Sequence, residues 1–307
     1  MTASPLRLTG YVDLPAHRGK GAFDHAAVHA ASGHVYVAHT ANDAVDVFDG
    51  DKYLFSIPGL PGVAGALVSD EANLNFSSNR AENTVGIFAP GPNPEVTKVK
   101  VDMGPNGLAY DPGRKLLLAA NVGDPAIAGS HTVTMVDAGD RTVRAEIAMP
   151  GRTRWTVFDP DAEVFYVNIV NPAVIAVIDA KKPDRLAHMF GVHAAGPHGL
   201  DLDRTTQRLF CACDAGTLAT LDARSGKILS VKPLSGVPDV VFFNRQRQHL
   251  YIAVGDPGVV DVYSTATMEK LATVETEPGA HTTALAPAGD RLYVFLPRSH
   301  RAAIYET

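Results

Sequence analysis

A unit of about forty residues recurs seven times along this chain, and no other feature constrains its folding so strongly. The clearest copies are PNGLAYDPGRKLLLAAN from Pro105, PHGLDLDRTTQRLFCACD from Pro197 and PDVVFFNRQRQHLYIAVGD from Pro238. Weaker copies begin at Asp24, Val63, Thr153 and Ala280. Aligned on the second residue of each copy, they give His25, Ala64, Asn106, Arg154, His198, Asp239 and His281, with separations of 39, 42, 48, 44, 41 and 42 residues. The period is that of a propeller blade, and the long step coincides with an inserted glycine- and proline-containing loop at 123–131.

Inside each unit, short β-branched and aromatic runs are separated by turns rich in Asp, Pro and Gly, which predicts four antiparallel strands. Small residues crowd the first run (Ala26 and Ala27, Gly65 and Ala66, Gly107), as a strand beside a narrow axial channel requires. The last unit supplies three strands, while residues 7–14 precede the first unit as an orphan strand. Pairing the orphan with the last unit closes the ring and removes a sheet edge. The expectation is an all-β, seven-bladed β-propeller in one domain, residues 1–307. Its blades fall near 24–60, 61–102, 103–150, 151–192, 193–234, 235–276, and 277–307 with 6–14.

The segments HVYVAH (34–39), HLYIAV (249–254) and RLYVFL (291–296), with their P-x-G or P-H-G lead-ins, resemble the YVTN-type β-propellers related to the lactonase-like seven-bladed propellers. The resemblance covers essentially the whole chain. It implies the shape more than the reaction, since such propellers include lactonizing or hydrolytic enzymes, electron-transfer partners and binding proteins.

Twenty-seven basic residues against 33 acidic ones, without a Lys/Arg cluster, argue against a nucleic-acid binder. No apolar run approaches the roughly 20 residues of a membrane-spanning helix. The opening MTASPLRLTGYVDLPAH lacks a basic stretch followed by an apolar one, so the expected compartment is the cytoplasm. Cys211 and Cys213, two apart in one predicted strand, read as small buried fillers.

Standard catalytic strings are missing: no H-E-x-x-H, G-x-S-x-G, P-loop or C-x-x-C occurs. The repeat itself then becomes the ruler, because residues at one phase of every blade share one ring at the channel mouth. His198, Asp239, His281 and His25 fall on consecutive blades, and three imidazoles with a carboxylate suit Zn, Mn, Fe or Cu. Arg154 and Asn106 occupy the other side of the ring as candidate substrate-orienting residues, with Trp155 as an apolar wall. Asn79, Arg80, Asn121, Asp214 and Asp256 follow second strands and read as a polar rim on the same face. His17, Arg18 and Lys20 lie where a lid over the mouth would start. These residues point to a metal-dependent enzyme acting on a small anionic or oxygen-rich molecule, most naturally by lactonase-like hydrolysis. The alternative is a non-catalytic propeller that binds a small ligand or a protein partner through its rim. Nothing in the sequence specifies an oligomeric state.

Overall fold

A computed structural model describes residues 4–307. Seven four-stranded antiparallel sheets stand in a ring, and the one helical element among the described residues is a 3-10 turn at Thr40–Asn42. The architecture is the expected seven-bladed β-propeller. Blade 1 runs outward from the axis as Phe23–Val28, Val35–His39, Ala44–Phe48 and Tyr53–Pro58, and the other blades repeat that order. The inner strands of the next six blades are Val63–Ser69, Pro105–Asp111, Thr153–Asp159, Pro197–Asp203, Val237–Asn244 and Thr283–Leu285.

Hydrophobic patterning follows from position in the blade. Middle strands are covered on both faces, so Leu116–Asn121 and Val35–His39 are buried along their whole length. Outer strands face solvent on one side, and Ile228–Pro233 alternates partly buried with exposed residues. The apolar core is divided among the gaps between adjacent blades. One cluster joins Leu118 and Met135 of blade 3 to Phe165 and Val167 of blade 4, and another joins Phe48 of blade 1 to Tyr293 and Phe295 of blade 7.

The turns owe their geometry to short acidic side chains. Asp111 Oδ1 accepts the backbone N–H groups of Gly113 and Arg114, and Asp203 Oδ1 does the same for Thr205 and Thr206. After third strands, Asp137 and Asp222 each accept the N–H groups of the residues two and three positions further on, so these carboxylates act in turn formation. Cys211 and Cys213 are fully buried and unbridged.

Ring closure is observed as expected: Arg7–Asp13 pairs antiparallel with Arg301–Glu306, completing blade 7 with the chain's first strand. Val12 and Leu14 are buried in the cluster that also holds Phe23 and Phe295, so the closing strand is packed as well as hydrogen-bonded. Trimming Val12 to Ala is expected to cost about 2 kcal/mol, from lost apolar burial plus a cavity. Leu8→Ala, on the same strand but 43% exposed, should stay within about 0.5 kcal/mol. Urea midpoints of the two variants check this, and equal losses would refute a packed closure.

Asp201, on the inner strand of blade 5, has its pKa pushed up to about 6, chiefly by burial and against two backbone hydrogen bonds from Phe243 and Leu202. With the folded value above the unfolded one, the stabilising contribution is complete below about pH 4 and is lost as pH rises through 6. The decline should be about 2–3 kcal/mol between pH 4 and 7 and should vanish in Asp201→Asn. An NMR midpoint below 4.5 for this carboxyl group would contradict it.

Candidate functional site

The mouth of the channel is shaped first by backbone irregularity. In the first six blades the pairing of the inner strand breaks register at the ring position, as between Phe23 and Ala26, Pro105 and Leu108, and Pro197 and Leu200. Such bulges turn a strand and re-aim its side chains, which here places the ring residues at the mouth. Three ring residues are followed by glycine, and the next blade presses against that glycine. A Cβ on Gly65, Gly107 or Gly199 would stand 2.6, 2.5 or 2.2 Å from the carbonyl oxygen of Asn106, Arg154 or Asp239. Buried second-strand side chains satisfy the displaced backbone: Ser78 Oγ donates to the Asn106 carbonyl, and Asn168 Nδ2 donates to those of His198 and Gly199.

On one side of the mouth, His198, Asp239 and His281 form a chain. His198 Nδ1 donates to Asp214 Oδ1 at 2.7 Å, and its Nε2 lies 3.1 Å from Asp239 Oδ1. His281 Nδ1 donates to Asp239 Oδ2 at 2.8 Å. Burial opposes charge on His198, but the Asp239 charge and the hydrogen bonds with Asp214 and Asp239 outweigh it and push the pKa up to about 9. For Asp239, burial is overcome by the same imidazolium and by His281, which hold its carboxyl well below the usual range. Burial opposes charge on His281 too, but its hydrogen bond with Asp239 and the Asp239 and Asp24 charges together raise its pKa. The Asp239 contact leaves His281 with Nδ1–H committed and Nε2 free of hydrogen bonds among the described residues, the tautomer of an oriented general base. A hollow of about 480 Å³ is bordered by these three residues, Asp256 and Arg298.

Cationic groups gather on the adjoining side. Arg80 Nη2 donates to Asn106 Oδ1 at 2.7 Å and lies 3.3 Å from Asp24 Oδ2. Arg154 Nη2 is 3.8 Å from Asp214 Oδ2. Desolvation, then the like charges of Arg154 and Arg80, lowers the pKa of Arg152. The Nε groups of Arg80 and Arg154 are buried without a hydrogen-bond partner. At the centre, the buried His25 ring lies 4.1 Å from the Trp155 ring, and Phe242 meets Trp155 edge-on at 6.3 Å. Burial lowers the His25 pKa despite the nearby carboxylates of Asp24 and Asp239.

The structure therefore places His25, Asn106, Arg154, Trp155, His198, Asp214, Asp239, His281 and Arg80 around the mouth. Other expectations change. The four candidate metal ligands are adjacent but paired with carboxylates, and among the described residues no group of three or more His, Cys, Asp or Glu converges to hold a metal ion. His198 faces carboxylate oxygens at both ring nitrogens, an arrangement that suits an imidazolium. Asn79 and Asn121 are not rim residues: both are fully buried, and their amides donate to Thr84 and to Thr132 and Thr134 inside their own blades. Second-strand ends close the sheet there, so these amides serve blade interiors. The 16–18 segment is pinned to blade 1, with Ala16 O accepting from Asn42, Arg18 N–H donating to Asn42, and His17 2.7 Å from the buried His39. Asp24 and Arg152 had not been singled out from the sequence; each sits within two residues of a ring position, which is the signal that finds them.

No known family model matches this chain, and no curated protein matches its sequence. Among solved structures, a chain of hydrazine synthase from Kuenenia stuttgartiensis is similar with a TM-score of 0.80, over 96% of both chains and at 15% identity. That likeness is one of fold. The YVTN resemblance stays a likeness of strand motifs.

The glycine contacts make the mouth intolerant of even one added carbon. Gly199→Ala is expected to cost about 3 kcal/mol, since the opposing atom is backbone and cannot swing away. Gly10→Ala, where nothing lies within 4 Å of the new Cβ, should be neutral or slightly stabilising. Thermal midpoints compared between the two variants decide it.

Proposed function

We propose that the mouth binds a small, oxygen-rich anion, with Arg80, Arg152, Arg154 and Asn106 holding its negative group and His281 facing it as a general base. The observation that carries this reading is the pair of buried, unpartnered Nε–H donors on Arg80 and Arg154. Buried donors without partners are costly, and guanidinium groups sharing a site with like charges gain most when an anion enters between them. The adjoining wall supplies acid–base capacity: Asp239 orients His281, and His198, locked between Asp214 and Asp239, keeps Asp239 ionised.

Lactonase-like hydrolysis fits this layout. His281 Nε2 would take a proton from water as it attacks the ring carbonyl and give it to the ring oxygen as the acyl C–O bond breaks, so that this oxygen leaves as a hydroxyl, and the arginines would hold the carboxylate that ring opening creates. Ligand binding without turnover is the other outcome of the same site.

Calorimetric titration of a hydroxycarboxylate panel, beginning with gluconate, tests the binding step. Arg80→Ala and Arg154→Ala should each weaken the best binder at least tenfold, about 1.4 kcal/mol. His281→Ala should change affinity by less than about threefold while abolishing hydrolysis of the corresponding lactone. Affinity indifferent to both arginines, or no binder in the panel, would refute the reading. Near-stoichiometric Zn, Mn, Fe or Cu in protein purified without chelator, lost from a His198→Ala/His281→Ala variant, would replace it with a metal-centred mechanism.

A further inference from the structure

Beneath the mouth lies a second and separate space. A cavity of about 520 Å³ follows the axis from His25, Trp155 and Phe242 to Glu71, Pro112, Pro160 and Arg204, which lie at or beyond the far ends of the inner strands. Of the seven ring residues only His25 borders it, so the His25–Trp155 contact forms a floor between mouth and channel. The opening is therefore on the face opposite the charged mouth.

The walls are mainly hydrocarbon. Leu108, Val157, Leu200, Val241 and Leu285 come from five different blades and surround the axis. Of the charged groups on this lining, both Asp201 oxygens accept backbone N–H groups, from Leu202 and Phe243, Arg204 is paired with Asp161 at the rim, and Glu71, at the same end, accepts from Ser69 Oγ at 3.4 Å. Between the rim, where Glu71 and Arg204 lie, and the His25 floor, an entering molecule thus meets Asp201 alone among charged groups, with both its oxygens already hydrogen-bonded, and a charged ligand would lose its hydration without compensation. Water gains little there, because an apolar cavity offers few of the two to four partners a buried water needs. The volume lies within the range of small-molecule sites, about 300–1,000 Å³, and the predominance of apolar lining matches them too.

We propose that this channel is a binding site for an uncharged, slender apolar molecule, an aliphatic alcohol or comparable hydrocarbon, entering from the face opposite the mouth. The ligand would lie along the axis with its inner end against Trp155. The site is distinct from the anion site proposed above, and neither requires the other.

Trp155 is the only tryptophan in the chain and borders the cavity, so it reports occupancy directly. Titration of 1-octanol into the full chain should change Trp155 emission saturably. Ala27→Phe and Val157→Phe, which fill the tube from different blades, should each raise the apparent Kd at least tenfold while keeping the wild-type strand circular dichroism. Arg80→Ala should bind octanol as the wild type does. Should a filled variant fail to fold, xenon-129 NMR on the wild-type protein answers the same question: a bound-xenon shift that octanol abolishes supports the site. No saturable emission change in the wild type, affinity unchanged in a folded filled variant, or no octanol-sensitive xenon signal would overturn it.

Discussion

Closure of the ring is the constraint on which the rest of this structure depends. Each blade's hydrophobic faces are covered only by its neighbours, so the core exists as a set of gaps, each needing a blade on both sides. An open chain of seven units would leave an apolar face bare at each end. Pairing Arg7–Asp13 with Arg301–Glu306 joins the first and last described strands into one sheet and covers both faces together. The closing contacts are almost as long-range as this chain permits, which makes them entropically expensive to form and dependent on the blades already in place.

Closure also sets the mouth. Seven inner strands converge until backbone meets backbone, and glycines at 65, 107 and 199 mark where a side-chain carbon has no room. The bulges at these positions redirect side chains from adjacent blades toward one small volume. Charges placed there are close enough to neutralise one another, and the result is a mouth with two unlike sides. Carboxylates and imidazoles interlock on one side, while guanidinium groups with unsatisfied donors gather on the other. The aromatic contact of His25 with Trp155 separates this polar layer from the hydrocarbon channel beneath.

Much of the site could be read from the repeat because phase in the sequence becomes position on a circle. His198, Asp239 and His281 were placed on one arc by counting alone, and they do touch. Counting fails where direction matters. Asn79 and Asn121 stand at the right end of their strands, yet their side chains bond within the blade, a choice made by Thr84, Thr132 and Thr134 on the neighbouring strand. His198 illustrates the same limit: its place was legible, but its protonated state comes from two carboxylates 16 and 41 residues further along.

The sequence by itself determined the number of blades, the strand order within each, the closing role of the first strand and the ring of residues around the axis. These follow from a period and from alternating polarity, both written along one dimension. Only the tertiary structure decided which ring members share hydrogen bonds, where arginines lack them, and that the channel below is apolar and faces away from the mouth. Those properties depend on distances of a few ångströms between residues of different blades, and bulges, rotamers and local packing set such distances after the ring has closed.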